Sequence, residues 1–184
     1  MSKRFFAIML TALFSALTVN ASDKSNEVLR QLIKNLHGGM EIHTTDGTKS
    51  YSGYVGTGYK LYFYKDKAYI KPEIDVKWGQ FKYDGGHEVE TSSVAVPVTV
   101  GYHVFNEELL GMEIFGGGRY EYIFNATNNT YSSSVNSSQF GLTAGTSIRL
   151  LNAVSLNVSY FYGLTSLFSD GTGKTSSFNF SFNF

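Results

Sequence analysis

The chain ends in Lys174-Thr175-Ser176-Ser177-Phe178-Asn179-Phe180-Ser181-Phe182-Asn183-Phe184, and from residue 177 onward every even position is Phe while every odd position is Ser or Asn. Because successive side chains of a strand point to opposite faces, this stretch predicts a strand with one aromatic face and one polar, uncharged face. A soluble barrel would carry charged residues on its outer face. The pattern therefore indicates a membrane strand, and we assign Phe178, Phe180, Phe182 and Phe184 to its lipid-facing side.

The composition fits one exported barrel and excludes several kinds of site. Of the 184 residues, 16% are charged, 16% are aromatic and 19 are Gly, whereas ordinary globular domains are about 25% charged. The 15 Lys and Arg residues balance the 15 Asp and Glu residues, so the charge gives no indication of a nucleic-acid partner. The absence of Cys excludes disulfides and thiolate metal sites.

Two segments are predicted to precede the barrel. Residues 1–21 have the pattern of a secretory signal peptide, in which Lys3 and Arg4 precede an apolar stretch and residues 19–21 form a small-residue cleavage site. Residues 22–37 are predicted to form a short amphipathic periplasmic helix that lies against the barrel mouth or, alternatively, plugs the lumen. The outer-membrane β-barrel domain is then expected to occupy residues 38–184.

A two-residue period from residue 38 onward predicts an all-β fold, an eight-stranded antiparallel up-and-down transmembrane β-barrel. The expected strands cover about 38–44, 53–64, 68–81, 92–104, 112–124, 139–150, 154–165 and 177–184. Connections after strands two, four and six are short, and those after strands one, three, five and seven are longer, the longest at 125–138. Such barrels have long loops outside the cell, so both chain ends are expected in the periplasm. Pro72 and Pro97 fall within strands and must lie at bulges or ladder gaps.

Charged residues within the predicted strands fall almost entirely on the inner face. Because an eight-stranded barrel is barely wide enough for its own side chains, balanced charges inside it should pair and close the lumen. We expect an ion-pair network there, in which Lys71 or Lys77 pairs with Glu113 or Glu121. Its predicted members are Glu41, Lys60, Lys71, Glu73, Asp75, Lys77, Glu113, Arg119, Glu121 and Arg149.

Two groups of side chains could carry chemistry, and each has a simpler explanation. Asp84, His87, Glu88 and Glu90 could hold a divalent cation or position a general base, but a solvated loop commonly has this composition. His43 with a nearby Ser could form a hydrolytic pair at the outer end of strand one. The sequence contains no phosphate-binding loop or dinucleotide fingerprint, and we assign no catalytic residue, no metal ligand and no cofactor.

Gly, Pro and aromatic positions between residues 38 and 184 form a loose set of motifs. They are Lys71-Pro72-Glu73-Ile74, Val96-Pro97-Val98, Gly116-Gly117-Gly118, Phe140-Gly141-Leu142, Ala144-Gly145, residues 160–164 and the terminal Phe. The set resembles the outer-membrane β-barrel domain family common in Bacteroidetes-type bacteria, which includes small eight-stranded, PorT-like proteins. The resemblance implies a fold and an outer-membrane location, and it carries no catalytic residues to transfer.

The favoured hypothesis is a non-enzymatic outer-membrane barrel with an envelope-structural or surface-binding role through its long extracellular loops. One alternative is an outer-membrane enzyme, lipid-modifying or proteolytic, acting at the outer rim. Another is a secreted soluble lipid-binding barrel with its aromatic residues inside. The expected partners are outer-membrane lipid, an unknown extracellular ligand at the loops, and the barrel-assembly machinery, which would recognise the strand ending in Phe184.

Overall fold

A computed structural model describes residues 30, 32, 33, 35–65, 67–83, 87–107, 109–128, 135–150, 154–169 and 171–183 of the chain. Alternating polar and apolar residues place almost all of them in antiparallel strands. The strands are β1 (His37–Thr45), β2 (Thr48–Gly58), β3 (Leu61–Phe63), β4 (Ala68–Tyr83), β5 (His87–Asn106), β6 (Leu110–Asn128), β7 (Ser138–Leu150), β8 (Val154–Ser166) and β9 (Lys174–Asn183).

The strands form one closed barrel with eight wall positions. Consecutive strands pair in chain order except β2 and β3, which both pair with β4, and the pairing of β1 with β9 closes the sheet. Since β2 and β3 follow one another along the same side of β4, they act as a single wall strand interrupted at Tyr59 and Lys60. The predicted eight-stranded antiparallel barrel is confirmed.

Both prolines lie beside interruptions of the ladder, where their missing N–H group costs no strand hydrogen bond. Pro72 lies opposite the break between β2 and β3, and its carbonyl oxygen accepts a hydrogen bond from Tyr59 N at 3.1 Å. Pro97 lies opposite the gap at Glu73 and Ile74, where β4 and β5 do not pair.

The two ends of the barrel differ. We call one end the terminal end, and it holds His37 and Asn183 together with the turns after β3, β5 and β7. The loop end holds the connections after β1, β4, β6 and β8. At the loop end β4, β5 and β6 are 16, 20 and 19 residues long and outlast their neighbours. A membrane-spanning strand needs only about 9–11 residues, so these three strands continue beyond the barrel wall as a raised sheet of residues 80–83, 87–92 and 123–128.

Two predictions about the connections are wrong. The connection after β1 is a two-residue turn at Asp46 and Gly47, whose φ angles of 48° and 83° fit the Asp-Gly hairpin turn that matches strand twist. The connection after β4 is also short, because β4 runs to Tyr83 and β5 begins at His87. Residues predicted to form loops are instead paired in hairpins.

The N-terminal predictions lie mostly outside the described residues. This holds for the signal peptide at residues 1–21 and for most of the helix at 22–37, of which Arg30, Leu32 and Ile33 have helical backbone. His37, predicted as the last helical residue, is the first residue of β1. In the described part of the chain, no helix has the length and apolar character needed to cross a membrane.

Candidate functional site: the barrel lumen

Four charged side chains near the middle of their strands form an ionic layer across the lumen. This layer consists of Glu41 on β1, Lys77 on β4, and Arg119 and Glu121 on β6, and all four are buried. Lys77 Nζ lies 2.7 Å from Glu41 and 2.8 Å from Glu121. Arg119 lies 2.6 Å from Glu41 and 3.4 Å from Glu121. Each cation therefore bridges both carboxylates, and the layer is electrically balanced.

Neutral groups complete the ionic layer. Ser93 Oγ donates a hydrogen bond of 2.6 Å to Glu121, so this carboxylate has a hydroxyl partner as well as two cations. The guanidinium of Arg119 lies 3.6 Å from the centre of the Phe161 ring, close enough for a cation–π interaction. Buried charges are tolerated when they are paired and hydrogen-bonded in this way.

The lumen between the ionic layer and the terminal end contains a second group of charges. Glu113 accepts a hydrogen bond of 2.6 Å from the Tyr69 hydroxyl and lies 2.8 Å from Lys60 Nζ. Lys71 lies 2.6 Å from Glu73. These groups line a polar cavity, which we call the vestibule.

The vestibule has a volume of about 90 Å³, enough for roughly three waters at their liquid volume of about 30 Å³ each. Charged residues of β1 to β6 line one side, and Ser and Asn side chains of β7 to β9 line the other. Glu41 and Arg119 of the ionic layer also border the vestibule, which extends from them to rim residues such as Asn183. Water can therefore occupy the terminal half of the lumen as far as the ionic layer.

An apolar plug covers the loop end of the lumen, where the raised sheet meets the connection after β8. It consists of Phe81, Val89, Ile123, Leu167 and Phe168, all of them buried, and Val135 packs against it. Leu167 and Phe168 belong to the connection after β8. The carbonyl oxygen of Leu167 accepts a hydrogen bond of 2.8 Å from Asn136 N, and that of Phe168 accepts one of 3.0 Å from Asn136 Nδ2. The ring of Phe81 lies 4.6 Å from the His43 ring, so plug and polar lumen meet there. The loop end is thus closed by a small hydrophobic core.

All ten residues predicted for the ion-pair network have inward positions, but several partners differ from prediction. Of the expected pairs, Lys77 with Glu121 is present. Lys71 pairs with Glu73 of its own strand instead of Glu113 or Glu121, because side chains two residues apart share a face and a long Lys spans the distance. Asp75 lies 2.9 Å from His37 Nε2, and Arg149 donates a hydrogen bond to Asn106.

His43 does approach a Ser, but the geometry is not that of a hydrolytic triad. His43 Nε2 lies 2.6 Å from Ser52 Oγ and 3.3 Å from Glu41 Oε2, so hydroxyl and carboxylate meet the same ring nitrogen. A triad needs them on opposite nitrogens, so that the carboxylate orients a base facing the nucleophile. His43 is also only 1% exposed, between the ionic layer and the plug, where no substrate reaches it.

The acidic cluster predicted in the loop after strand three is not a loop cluster. Glu88 and Glu90 lie within β5, and Glu88 pairs at 2.5 Å with Lys82 of β4. Asp84 lies outside the described residues, and for His87 the structure describes the backbone alone. Among the described residues, no group of three His, Asp or Glu side chains is placed to hold a metal ion.

The outer wall is apolar. Phe178 and Phe182 of β9 are 53% and 50% exposed, Phe180 between them is half-buried, and Phe184 lies outside the described residues. With charges inside and aromatic rings outside, the alternative of a soluble barrel with an aromatic interior is wrong.

Two groups of lumen residues and one hydrogen bond were missed from the sequence. Phe161 is an aromatic residue on the otherwise Ser- and Asn-rich inner face of β8, and that interruption was a usable signal. Tyr69 falls on the inner face of β4 by the same alternation that places its charged neighbours there, and only its hydrogen bond to Glu113 was not predicted. Leu167 and Phe168 form an apolar pair in a polar connection, which indicates burial but not what covers them.

Comparison with known proteins gives one family match and several similar structures. The model of the family described as outer membrane protein beta-barrel domain matches residues 4–169, most of the chain. None of the curated proteins matches.

Among solved structures, the outer membrane enzyme PagL has a TM-score of 0.55 at 14% identity, covering 79% of this chain and 97% of PagL. Neisserial surface protein A has a TM-score of 0.49 at 9% identity, covering 80% and 92%. Ail of Yersinia pestis, solved with the heparin analogue sucrose octasulfate, has a TM-score of 0.46 at 13% identity, covering 81% and 95%. At these identities the likeness shows the fold alone.

Proposed function

We propose a role for this chain, which belongs to the outer membrane protein β-barrel domain family and resides in the outer membrane. The proposed role is that of a closed, non-enzymatic barrel that presents a rigid loop end for binding at the cell surface. In this proposal the terminal end faces the periplasm and the raised sheet faces outward. The raised sheet supports the binding role, since it extends β4, β5 and β6 beyond their neighbours at the loop end and packs there against the connection after β8.

One observation carries the proposal of a closed lumen: two closures of different chemistry lie in series. The ionic layer spans the middle of the lumen, and the apolar plug covers its loop end. A hydrated ion would have to separate paired buried charges and then cross a dry hydrophobic core. Both steps are unfavourable, because buried charges require their partners and an apolar core offers no ligands.

Bilayer conductance tests this proposal with a matched set of variants. The refolded chain should produce no current steps in planar bilayers. A variant with an emptied ionic layer (Glu41→Ala, Lys77→Ala, Arg119→Ala, Glu121→Ala) and a variant with a shortened plug (Leu167→Gly, Phe168→Gly) should also remain closed. Only their combination should conduct. Steady conductance of the unmodified chain would contradict the proposal.

Further parts of the proposal concern partners and activity. Outer-membrane lipid contacts the apolar outer wall, the barrel-assembly machinery recognises the strand ending in Phe184, and an extracellular ligand binds the loop end. A nearer kinship with Bacteroidetes-type, PorT-like barrels is proposed on the Gly, Pro and aromatic positions alone. The absence of an enzymatic role is supported by the geometry at His43. A His43→Ala variant should therefore leave envelope lipids and surface proteolysis unchanged, and altered lipids would favour the enzyme alternative.

A further inference from the structure

A short segment before β1 lies against the outside of the barrel at the terminal end. We call this the rim segment; its described residues are 30, 32, 33, 35 and 36. The Thr57 hydroxyl donates a hydrogen bond to the carbonyl oxygen of Leu32. Thr57 alternates with inward-facing Gly56 and Gly58, so its side chain belongs to the outer face of β2. The contact therefore holds the rim segment on the lipid side of the wall and not in the lumen.

The rim segment continues the apolar outer wall. Ile33 and Leu36 are 56% and 44% exposed, which is unfavourable for apolar side chains in water. The segment leads into Gly38, whose partners on the neighbouring strands are the outward-facing Val55 and Phe182. The lumen at this level is unsuited to Ile and Leu, because His37 and Asp75 occupy it as a hydrogen-bonded pair.

Charge adds the second feature of a membrane-surface segment. Arg30 is exposed and lies three residues before Ile33, one turn away along the helical backbone. A basic residue beside exposed apolar ones is the pattern of segments that lie in the interface, with apolar side chains among acyl chains and the cation among phosphates.

We propose that the rim segment is a lipid-binding surface: Ile33 and Leu36 enter the acyl region of the leaflet at the terminal end, and Arg30 contacts anionic phospholipid headgroups. The segment thereby fixes the depth of the barrel mouth in the membrane. This inference does not depend on a closed lumen or on surface binding.

Depth-dependent quenching tests the location. The chain contains a single Trp, so a Trp78→Phe background accepts one probe at a time. We would refold the chain from residue 22 with Ile33→Trp into phosphatidylcholine vesicles that contain phosphatidylglycerol and lipids brominated along the acyl chain. Phe182→Trp on the outer wall is the quenched control, and Lys65→Trp in the turn after β3 is the unquenched control. The expected result is blue-shifted emission of Ile33→Trp, quenched most by bromines near the headgroup.

Two results would overturn the location. Emission as red and as weakly quenched as that of Lys65→Trp would place the segment in water. Blue-shifted but unquenched emission would place it inside the protein.

The anionic partner is tested in the same vesicles with and without phosphatidylglycerol. Quenching of the Ile33→Trp probe should increase with phosphatidylglycerol, and adding Arg30→Glu should abolish that increase, whereas Arg30→Lys should keep it. Quenching that is indifferent to both phosphatidylglycerol and residue 30 would overturn the assignment of anionic headgroups.

Discussion

The two halves of the lumen accommodate their buried charged side chains in different ways. In the terminal half, charged and polar side chains line a cavity that water can occupy. In the loop half, charges span the lumen, buried polar side chains such as His43 and Ser177 lie beyond them, and a hydrophobic plug covers the end. The comparison teaches that buried charge is not what closes a narrow barrel. The Lys60–Glu113 pair of the vestibule also reaches across the lumen, from the β2/β3 wall strand to β6, and still leaves a cavity beside it. Closure therefore depends on whether packed side chains fill the space around the pairs.

The largest expected effect is the loss of Arg119. Arg119→Met leaves Glu41 and Glu121 sharing Lys77 as their only remaining cation of the layer, and breaking such a buried pair should lower the free energy of unfolding by about 3–5 kcal/mol. Lys71→Met is the matched control in the vestibule, where water can solvate Glu73 and the loss should be smaller. Urea titration of the refolded barrel, followed by heat-modifiable gel migration, measures both. Equal losses would remove the distinction between the halves.

The plug should be the next most sensitive region. Leu167→Ala leaves a cavity among Phe81, Val89 and Ile123 and should cost about 2–5 kcal/mol. Leu142→Ala on the outer wall is the control, because lipid can fill the space left by an exposed side chain. The same urea titration applies, and a neutral Leu167→Ala would show that the connection after β8 is not packed as a core.

Removing one hydroxyl from each half should reveal a smaller difference in stability between them. Ser93 in the ionic layer and Tyr69 in the vestibule each donate a hydrogen bond of 2.6 Å to a carboxylate. Ser93→Ala should lower the free energy of unfolding by about 1.5–3 kcal/mol, as for hydrogen bonds to charged groups. Tyr69→Phe should lower it by about 1 kcal/mol, because vestibule water can replace the lost donor. The reverse order would indicate that water reaches Glu121 and not Glu113.

Replacing a single Ser by Cys should perturb the barrel least, and the reactivity of the thiol reports directly where water reaches the lumen. The chain has no Cys, so Ser181→Cys and Ser177→Cys each introduce a single thiol on the inner face of β9. Ser181 lines the vestibule, whereas Ser177 lies beyond it and is 1% exposed. A small charged methanethiosulfonate should modify Ser181→Cys fully and leave Ser177→Cys unmodified, with unfolding in urea nearly unchanged. Mass spectrometry measures the modification, and reaction at both positions would refute a sealed loop half.

The sequence predicted which side chains face inward better than it predicted which of them pair with one another. Alternation along each strand placed Glu41, Lys77, Arg119 and Glu121 inside, because a charge facing lipid is strongly unfavourable. Pairing across the lumen depends on strand tilt and stagger, which no local pattern encodes. Lys71 with Glu73 was within reach of the sequence, since the two are neighbours on one face of β4.

The loop end was predicted least well, for two separate reasons. The turn at Asp46 and Gly47 has a recognisable local signature, and only its adjacent polar residues suggested a longer loop. The plug could not be predicted, since Leu167 and Phe168 contact residues more than 30 positions away in the chain. Contacts of that kind follow from the closed fold and not from a local pattern.

The pairing of β1 with β9 has a consequence for biogenesis. Nine residues of the first strand form a ladder with the last one, so the seam that completes the cylinder joins opposite ends of the polypeptide. Until β9 is in place, the first strand keeps one edge of unpaired backbone groups. Such an edge promotes aggregation in water and is energetically unfavourable in lipid. A polypeptide truncated before β9 therefore leaves one edge of β1 unpaired and cannot close into the same barrel.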